Sequence, residues 1–202
     1  MQRPATTSRD TGAKADYHRG AARSGDGAEG TGMGEVGLSG KAIIGALKEA
    51  RIEFIVALPD ATMSEHVLWP LSRDDDFKLV RVCKEDEGVS ICAGLTSCGR
   101  RAALLMQYTG LLDSINAIRI IAVELAQPIC MLVGLLAKEP GVPVVHSKIY
   151  SVRIVEPILG ALGIDHFCME EAADVAMLPS AIERAYARSL PLAALVGHRV
   201  SP

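Results

Sequence analysis

Several features that would direct a chain to nucleic acid or to a membrane are missing from this sequence. Its 202 residues hold 21 Lys and Arg against 24 Asp and Glu, and no basic cluster interrupts that balance, which argues against a nucleic-acid-binding protein. No apolar run reaches about 18 residues, so we expect no membrane-spanning helix. The first residues lack the apolar stretch of a secretory signal, and we expect none.

The five cysteines show neither a CxxC pair nor the spacing of zinc ligands. Their number is odd, and most of them lie inside apolar segments. This pattern predicts reduced core thiols rather than a disulfide framework, and it favours a cytoplasmic location. We also expect no metal site built by this chain alone.

The composition changes sharply near residue 36. Residues 1–35 contain no Ile, Leu, Val, Phe or Trp. Such a segment buries too little apolar surface to offset the entropy lost on ordering, which predicts a disordered tail. Residues 36–202 are dense in Ile, Leu, Val and Ala and are predicted to form one domain.

Short apolar runs alternate with segments of helical spacing along this domain. Helices are predicted over 39–50, 62–72, 85–98, 112–126, 151–162 and 171–188, and strands over 54–58, 78–82, 102–106, 129–133, 166–169 and 192–196. Continuous apolar strands separated by helices indicate an α/β fold of three layers, with a mostly parallel, flavodoxin-like sheet covered by helices on both faces.

Ligands of such sheets bind at the carboxyl ends of the strands. Three polar segments follow predicted strands: Pro59-Asp60, Cys83 to Glu87, and Gln107 to Leu111, which begins with a predicted loop over residues 107–110. We therefore expect the functional site where these segments meet.

Glu85 is the most conspicuous of these polar residues. Acidic residues in a first helical turn are commonly explained by the helix dipole. The dipole does not explain where the side chain of Glu85 points. On a helical wheel, Glu85 lies about 60° from the apolar direction of its helix, against about 100° for Glu87 and about 160° for Asp86. A carboxyl group turned inward at the end of a strand suits proton chemistry.

Three segments together resemble one known family: residues 85–94, 102–111 and 114–118. The family is the pyrimidine-binding domain of thiamine-diphosphate-dependent 2-oxoacid decarboxylases, and the resemblance is strongest to its sulfopyruvate and phosphonopyruvate decarboxylase branch. It extends over roughly residues 39–200. It implies the fold predicted above and thiamine diphosphate as the cofactor.

In that family, a Glu at the start of this helix hydrogen-bonds a ring nitrogen of the aminopyrimidine and favours the tautomer that activates the cofactor. The family pattern places this Glu nine residues before a helix glycine, so Gly94 implies Glu85. Glu87, directly before Gly88, is the second candidate because a gapped alignment selects it.

The resemblance also implies contacts with the cofactor or substrate at Pro59, Asp60, Gln107, Thr109, Gly110 and Asn116. Two of these have ordinary alternatives. Asn116 could serve helix capping or packing, and Gln107 could satisfy only loop backbone.

The family also needs a half that binds the diphosphate through Mg2+, marked by Gly-Asp-Gly and an Asn some 25 to 30 residues later. Gly25-Asp26-Gly27 lies in the predicted tail without a preceding strand, and the only Asn is Asn116. The resemblance therefore implies a separate beta subunit that binds Mg2+ and diphosphate, in a hetero-oligomer with the active site between chains.

Departures from the family pattern concern the substrate. Tyr108, Leu112 and Asp113 replace smaller or amide residues of the relatives, and the Arg-Gly pair after the next strand is absent. That Arg suits an anionic substrate tail. The cations that could replace it are Lys138, His146, Lys148 and Arg153.

Two functions remain open from the sequence. The first is a catalytic subunit of a 2-oxoacid decarboxylase. The second is a non-catalytic homologue that kept the fold as a binding or regulatory subunit. Retention of Glu85 favours the first, because an inward carboxylate without a partner is costly.

Overall fold

A computed structural model describes residues 38–202 of the chain. The predicted disordered tail (residues 1–35) and Gly25-Asp26-Gly27 lie outside the described residues, as do residues 36 and 37. Among the described residues, no helix combines the length and hydropathy that are needed to cross a bilayer.

Six strands form one sheet in which every neighbouring pair is parallel, in the order β2-β1-β3-β4-β6-β5. The strands are β1 (Phe54–Ala57), β2 (Lys78–Arg81), β3 (Ala102–Gln107), β4 (Cys130–Gly134), β5 (Asp165–Met169) and β6 (Leu192–Val196). β3, β4 and β6 lie in the middle of the sheet, and their apolar sequences match their burial on both faces.

Helical segments connect these strands. The α-helices are α1 (Gly40–Glu49), α2 (Trp69–Leu71), α3 (Glu85–Ser97), α4 (Tyr108–Asp113), α5 (Ile115–Ala117), α6 (Tyr150–Arg153), α7 (Val155–Ala161) and α8 (Ala172–Arg188). A π-helical segment, Ser64–Leu68, precedes α2, another, Ile118–Glu124, follows α5, and a 3-10 turn spans Val144–His146.

The helices cover both faces of the sheet, so the predicted three-layer architecture is confirmed. Successive strand residues point to opposite faces. Ile55 and Leu105 pack in one core with α1 and α8. Val56 and Leu104 pack in the other core with α3 and α7.

The predicted loop at residues 107–110 is wrong. Gln107 is the last residue of β3, and α4 begins at once with Tyr108. Gly110, the last residue of the predicted loop, lies within the helix and has no positive φ. The absence of a side chain at Gly110 leaves space for the side chain of Glu85.

The predicted continuous helix over residues 112–126 is also interrupted. α4 ends at Asp113, and α5 and the second π-helical segment follow in succession. Ala126 then ends the segment in a left-handed conformation, with φ of 51°.

The prediction of free thiols is confirmed, since all five cysteines are free, but the predicted core location is wrong for Cys83 and Cys98, which are exposed. Cys92 and Cys130 are buried, and burial raises the pKa of both thiols to about 12. These two are therefore packing residues rather than nucleophiles.

Candidate functional site

A cleft of about 400 Å³ lies at the carboxyl edge of the sheet. Its walls come from the loop after β1, the first π-helical segment with α2, the start of α3, and the β3–α4 junction. The lining residues are Pro59, Asp60, Ala61, Ser64, Trp69, Glu85, Gln107 and Thr109. Five of the residues singled out from the sequence therefore meet in one place.

Glu85 projects from the first turn of α3 toward the start of α4. The residue is half-buried, and its carboxyl group lies directly against the Cα of Gly110. A Cβ at position 110 would overlap the Cγ, Cδ and Oε1 atoms of Glu85. The glycine therefore makes the space that this carboxyl group occupies beside the cleft.

A second glycine brings α3 close to the sheet. Gly88 is buried one turn after Glu85, and a Cβ there would lie 2.5 Å from Leu104 Cδ1 and 3.4 Å from Val56 Cγ1. The close approach of helix and strand fixes the height of the first turn of α3 above the strand ends. It thereby helps to set the position of Glu85.

Asp60 organises the loop after β1. Its Oδ1 accepts hydrogen bonds from the backbone N–H groups of Thr62, at 2.5 Å, and Met63, at 2.9 Å. Its own N–H donates to Ser64 Oγ at 2.8 Å. Burial raises the pKa of the Asp60 carboxyl group, against the opposing effect of the two backbone hydrogen bonds.

The same loop reaches over the end of β3 to the last residue of β4. A Cβ at Gly134 would lie 2.9 Å from Thr62 Cβ and 3.1 Å from Asp60 Oδ1. Thr62 is buried, and its side chain lies against Gly134. The absence of a side chain at Gly134 therefore allows the loop after β1 to pack against the edge of the sheet, where it forms one wall of the cleft.

Gln107 and Thr109 line the cleft at the β3–α4 junction. The Thr109 hydroxyl donates to Gln107 Oε1 at 3.0 Å. This bond fixes the amide so that its NH2 group remains available as a donor. Both residues line the cleft because α4 starts directly after the strand.

Two sequence candidates lie elsewhere. Glu87 is exposed, and its Oε2 accepts hydrogen bonds from the N–H groups of Cys83, at 3.0 Å, and Lys84, at 3.3 Å. Its carboxylate therefore stabilises the start of α3. Asn116 is exposed in α5, where its Oδ1 accepts from Arg119 at 3.1 Å, and it does not line the cleft.

Three lining residues were not predicted from the sequence: Ala61, which directly follows Pro59-Asp60, and the pair Ser64 and Trp69. Ser64 and Trp69 are five positions apart, a spacing that places side chains on different sides of an α-helix. A π-helical segment brings them together, and the apolar pattern gives no signal for it. The one available signal was composition, because Trp69 is the only tryptophan of the chain.

Lys138, a cation named from the sequence, is already paired. Its side chain is 1% exposed and forms an ion pair with Glu170, and its Nζ donates to the Glu139 carbonyl at 3.0 Å. It borders a separate cavity of about 230 Å³, which Glu156 and Cys168 also line. Arg153 donates to the Ser147 carbonyl at 3.1 Å.

Comparisons with known proteins place this geometry in context. No protein-family model matches the chain. The chain is 38% identical over 78 residues to the sulfopyruvate decarboxylase subunit alpha of Methanococcus maripaludis, a match that covers 39% of this chain and 46% of that protein. It is also 38% identical over 77 residues to the same subunit of Methanocaldococcus jannaschii, covering 38% of this chain and 45% of that protein.

A longer match joins the chain to the sulfopyruvate decarboxylase of Methanosarcina acetivorans, at 28% identity over 160 residues, 78% of this chain and 40% of that protein. In each case the match spans less than half the length of the relative. The resemblance predicted from the sequence is confirmed as similarity to these curated relatives.

Among solved structures, the fold is similar to that of a 2-oxoglutarate:ferredoxin oxidoreductase from Magnetococcus marinus, determined with 2-oxoglutarate, coenzyme A and succinyl-CoA bound. The TM-score is 0.53 at 16% identity, covering 78% of this chain and 28% of that chain. This likeness concerns the fold alone.

Proposed function

We propose that this chain is the pyrimidine-binding alpha subunit of a two-chain, thiamine-diphosphate-dependent 2-oxoacid decarboxylase. The observation that carries the proposal is the half-buried carboxyl group of Glu85, seated against Gly110 beside a cleft at the carboxyl edge of the sheet. The similarity to sulfopyruvate decarboxylase alpha subunits supports the same function.

The residues of the cleft fit an aminopyrimidine ring. Its volume of about 400 Å³ is in the range of small-molecule sites. Glu85 offers a carboxylate acceptor for a ring nitrogen, and Gln107 and Thr109 add amide and hydroxyl groups. The bare Cα of Gly110 leaves the Glu85 carboxyl group its place, which a larger residue would take.

In this proposal, Glu85 binds and orients the ring and holds a proton shared with the ring nitrogen. Pro59 and Asp60 contribute the wall formed by the loop after β1, and Gln107 and Thr109 the wall at the β3–α4 junction. When bound, the cofactor supplies the electron sink that lets a 2-oxoacid lose carbon dioxide. Asn116 plays no direct part, because it lies outside the cleft.

The second half of the site belongs to a partner in this proposal. A beta subunit with a Gly-Asp-Gly motif and a downstream Asn would bind diphosphate and Mg2+, whose preferred ligands are oxygens. The relatives' designation as subunit alpha supports a partner chain. The free thiols support a cytoplasmic complex.

The first experiment isolates the chain with a tag from its native lysate and identifies co-purifying proteins by mass spectrometry. The complex, with thiamine diphosphate and Mg2+, is then assayed for carbon dioxide release from sulfopyruvate, phosphonopyruvate and pyruvate. We expect a stoichiometric partner with the Gly-Asp-Gly motif and turnover of at least one of these acids.

Two variants test the site within that complex. Glu85→Gln should lower kcat by about 10²-fold or more, the usual size of an acid–base contribution, without unfolding the chain. Glu87→Gln should retain activity, since a Gln oxygen accepts the same backbone hydrogen bonds. The reverse result would transfer the role to Glu87, and full activity of both would favour the non-catalytic homologue.

A further inference from the structure

The first π-helical segment brings Ser64 and Trp69 to the same wall of the cleft. The N–H of Trp69 donates to the carbonyl of Ser64, five residues earlier. At 3.6 residues per turn, these side chains would lie about 140° apart in an α-helix. The wider turn places both on the cleft, and π-helical turns frequently occur at functional sites.

The side chains of Ser64 and Trp69 differ in how they can contact a ligand in the cleft. The Ser64 hydroxyl already accepts the N–H of Asp60 at 2.8 Å, so it anchors the neighbouring loop. Trp69 is half-buried, packs partly against the core beneath α1 and α8, and also lines the cleft. It is the only aromatic residue among the eight that do so.

The polar groups of the cleft define the ligand that suits this aromatic residue. Among the described lining residues are two carboxyl groups, those of Asp60 and Glu85, and none is Lys, Arg or His. An anion would find no charge partner there. A planar nitrogen heterocycle that is electron-poor or protonated would find carboxylates for its N–H groups and an indole for its ring, and Trp is the most favourable aromatic partner of cations.

We infer that Trp69 is a ring-binding residue that contacts the aminopyrimidine held by Glu85. The inference rests on the proposed function, since it concerns the same cleft. It assigns the π-helical segment a purpose, which is to bring an aromatic side chain to a ring that Glu85 binds by hydrogen bonds. The acyl part of an anionic 2-oxoacid is expected to lie elsewhere.

The single tryptophan makes a direct test available. The 15N-labelled full chain gives one indole N–H cross-peak in a 1H–15N spectrum. We expect this peak and the backbone amide peak of Gly110 to move together and to saturate on titration with 4-amino-5-hydroxymethyl-2-methylpyrimidine. Pyruvate and inorganic phosphate at the same concentrations should leave the indole peak in place.

Two variants measure the contribution of the Trp69 indole ring to binding of the pyrimidine, which is followed by the Gly110 amide peak. Trp69→Leu should weaken the affinity for the pyrimidine by about tenfold, which lies within the range of such contacts. Trp69→Phe should weaken it by no more than about threefold, because an aromatic face remains.

The outcomes separate the inference from the proposed function. Movement of the Gly110 amide without the indole peak, or equal affinities of the wild type and Trp69→Leu, would overturn the role of Trp69 and leave the proposed function standing. Movement of the indole peak with pyruvate alone would assign Trp69 to the substrate and overturn the inference. If no peak moves with the pyrimidine, the inference falls, and carbon dioxide release by the assembled complex decides the proposed function independently. Should Trp69→Leu fail to fold, the wild-type titration and Trp69→Phe still decide.

Discussion

The carboxyl group of Glu85 occupies the space in which a side chain at position 110 would begin. The contact joins the first turn of α3 to the middle of α4. These helices follow β2 and β3, the two strands on either side of β1. A glycine within a helix is unfavourable by roughly 1 kcal/mol relative to alanine. The cost at Gly110 is therefore explained by clearance for Glu85.

This contact predicts coupling between the two positions. Gly110→Ala should displace the Glu85 side chain, whose flexible end can swing away, at a small cost in the free energy of unfolding. Under the proposed function, decarboxylation by the assembled complex should nevertheless fall by about 10²-fold, as expected for misplacement of a reacting group by about 1 Å. Steady-state kinetics and urea unfolding measure the two effects.

A double-mutant cycle separates clearance from a general helix effect. In a Glu85→Ala background, Gly110→Ala should raise the free energy of unfolding by about 0.5–1 kcal/mol, because the clash is gone and the helix gains. Gly94→Ala in α3 is the matched control, since nothing lies within 4 Å of a Cβ there. Additive effects of the Gly110 and Glu85 changes would refute the clearance argument.

The strands and most helices could be predicted from the sequence because burial on two faces leaves continuous apolar runs. The inward direction of Glu85 also follows from local periodicity. The function of Gly110 does not, because a glycine that makes room for another element looks like a glycine that makes a turn. Trp69 was missed for a related reason: its place in the cleft depends on a π-helical hydrogen bond, which no apolar spacing reveals.

Asp60 provides a prediction about pH. Burial raises the pKa of its carboxyl group in the folded chain above the unfolded value of 3.8. Between those two values the folded state binds more protons than the unfolded state, so this group's contribution to stability falls as the pH rises through that window. Asp60→Asn keeps an oxygen for the Thr62 and Met63 N–H groups but does not ionise.

The expected result is a difference that depends on pH. The free energy of unfolding of Asp60→Asn, relative to the wild type, should increase from pH 4 upward and level off above the raised pKa. Asp60→Ala should be less stable than Asp60→Asn by about 1–2 kcal/mol at every pH, because two N–H groups lose their acceptor. Urea unfolding followed by circular dichroism checks both, and a difference that does not change with pH would contradict the assignment.

The ion pair of Lys138 and Glu170 predicts an asymmetry between its two halves. The Lys138 side chain is 1% exposed, whereas that of Glu170 is 29% exposed. Loss of Lys138 leaves a carboxylate that water can still reach, but loss of Glu170 leaves a buried ammonium group. Glu170→Met should therefore cost about 3 kcal/mol of unfolding free energy and Lys138→Met about 1 kcal/mol.

The double variant tests whether the pair itself stabilises the fold. Apolar residues of similar volume often replace a buried ion pair without loss, so Lys138→Met/Glu170→Met should lie within about 1 kcal/mol of the wild type. Equal losses in the two single variants would mean that water reaches both groups. A double variant that shows the sum of the single losses would mean that the two side chains are not coupled and that each stabilises the fold through contacts of its own.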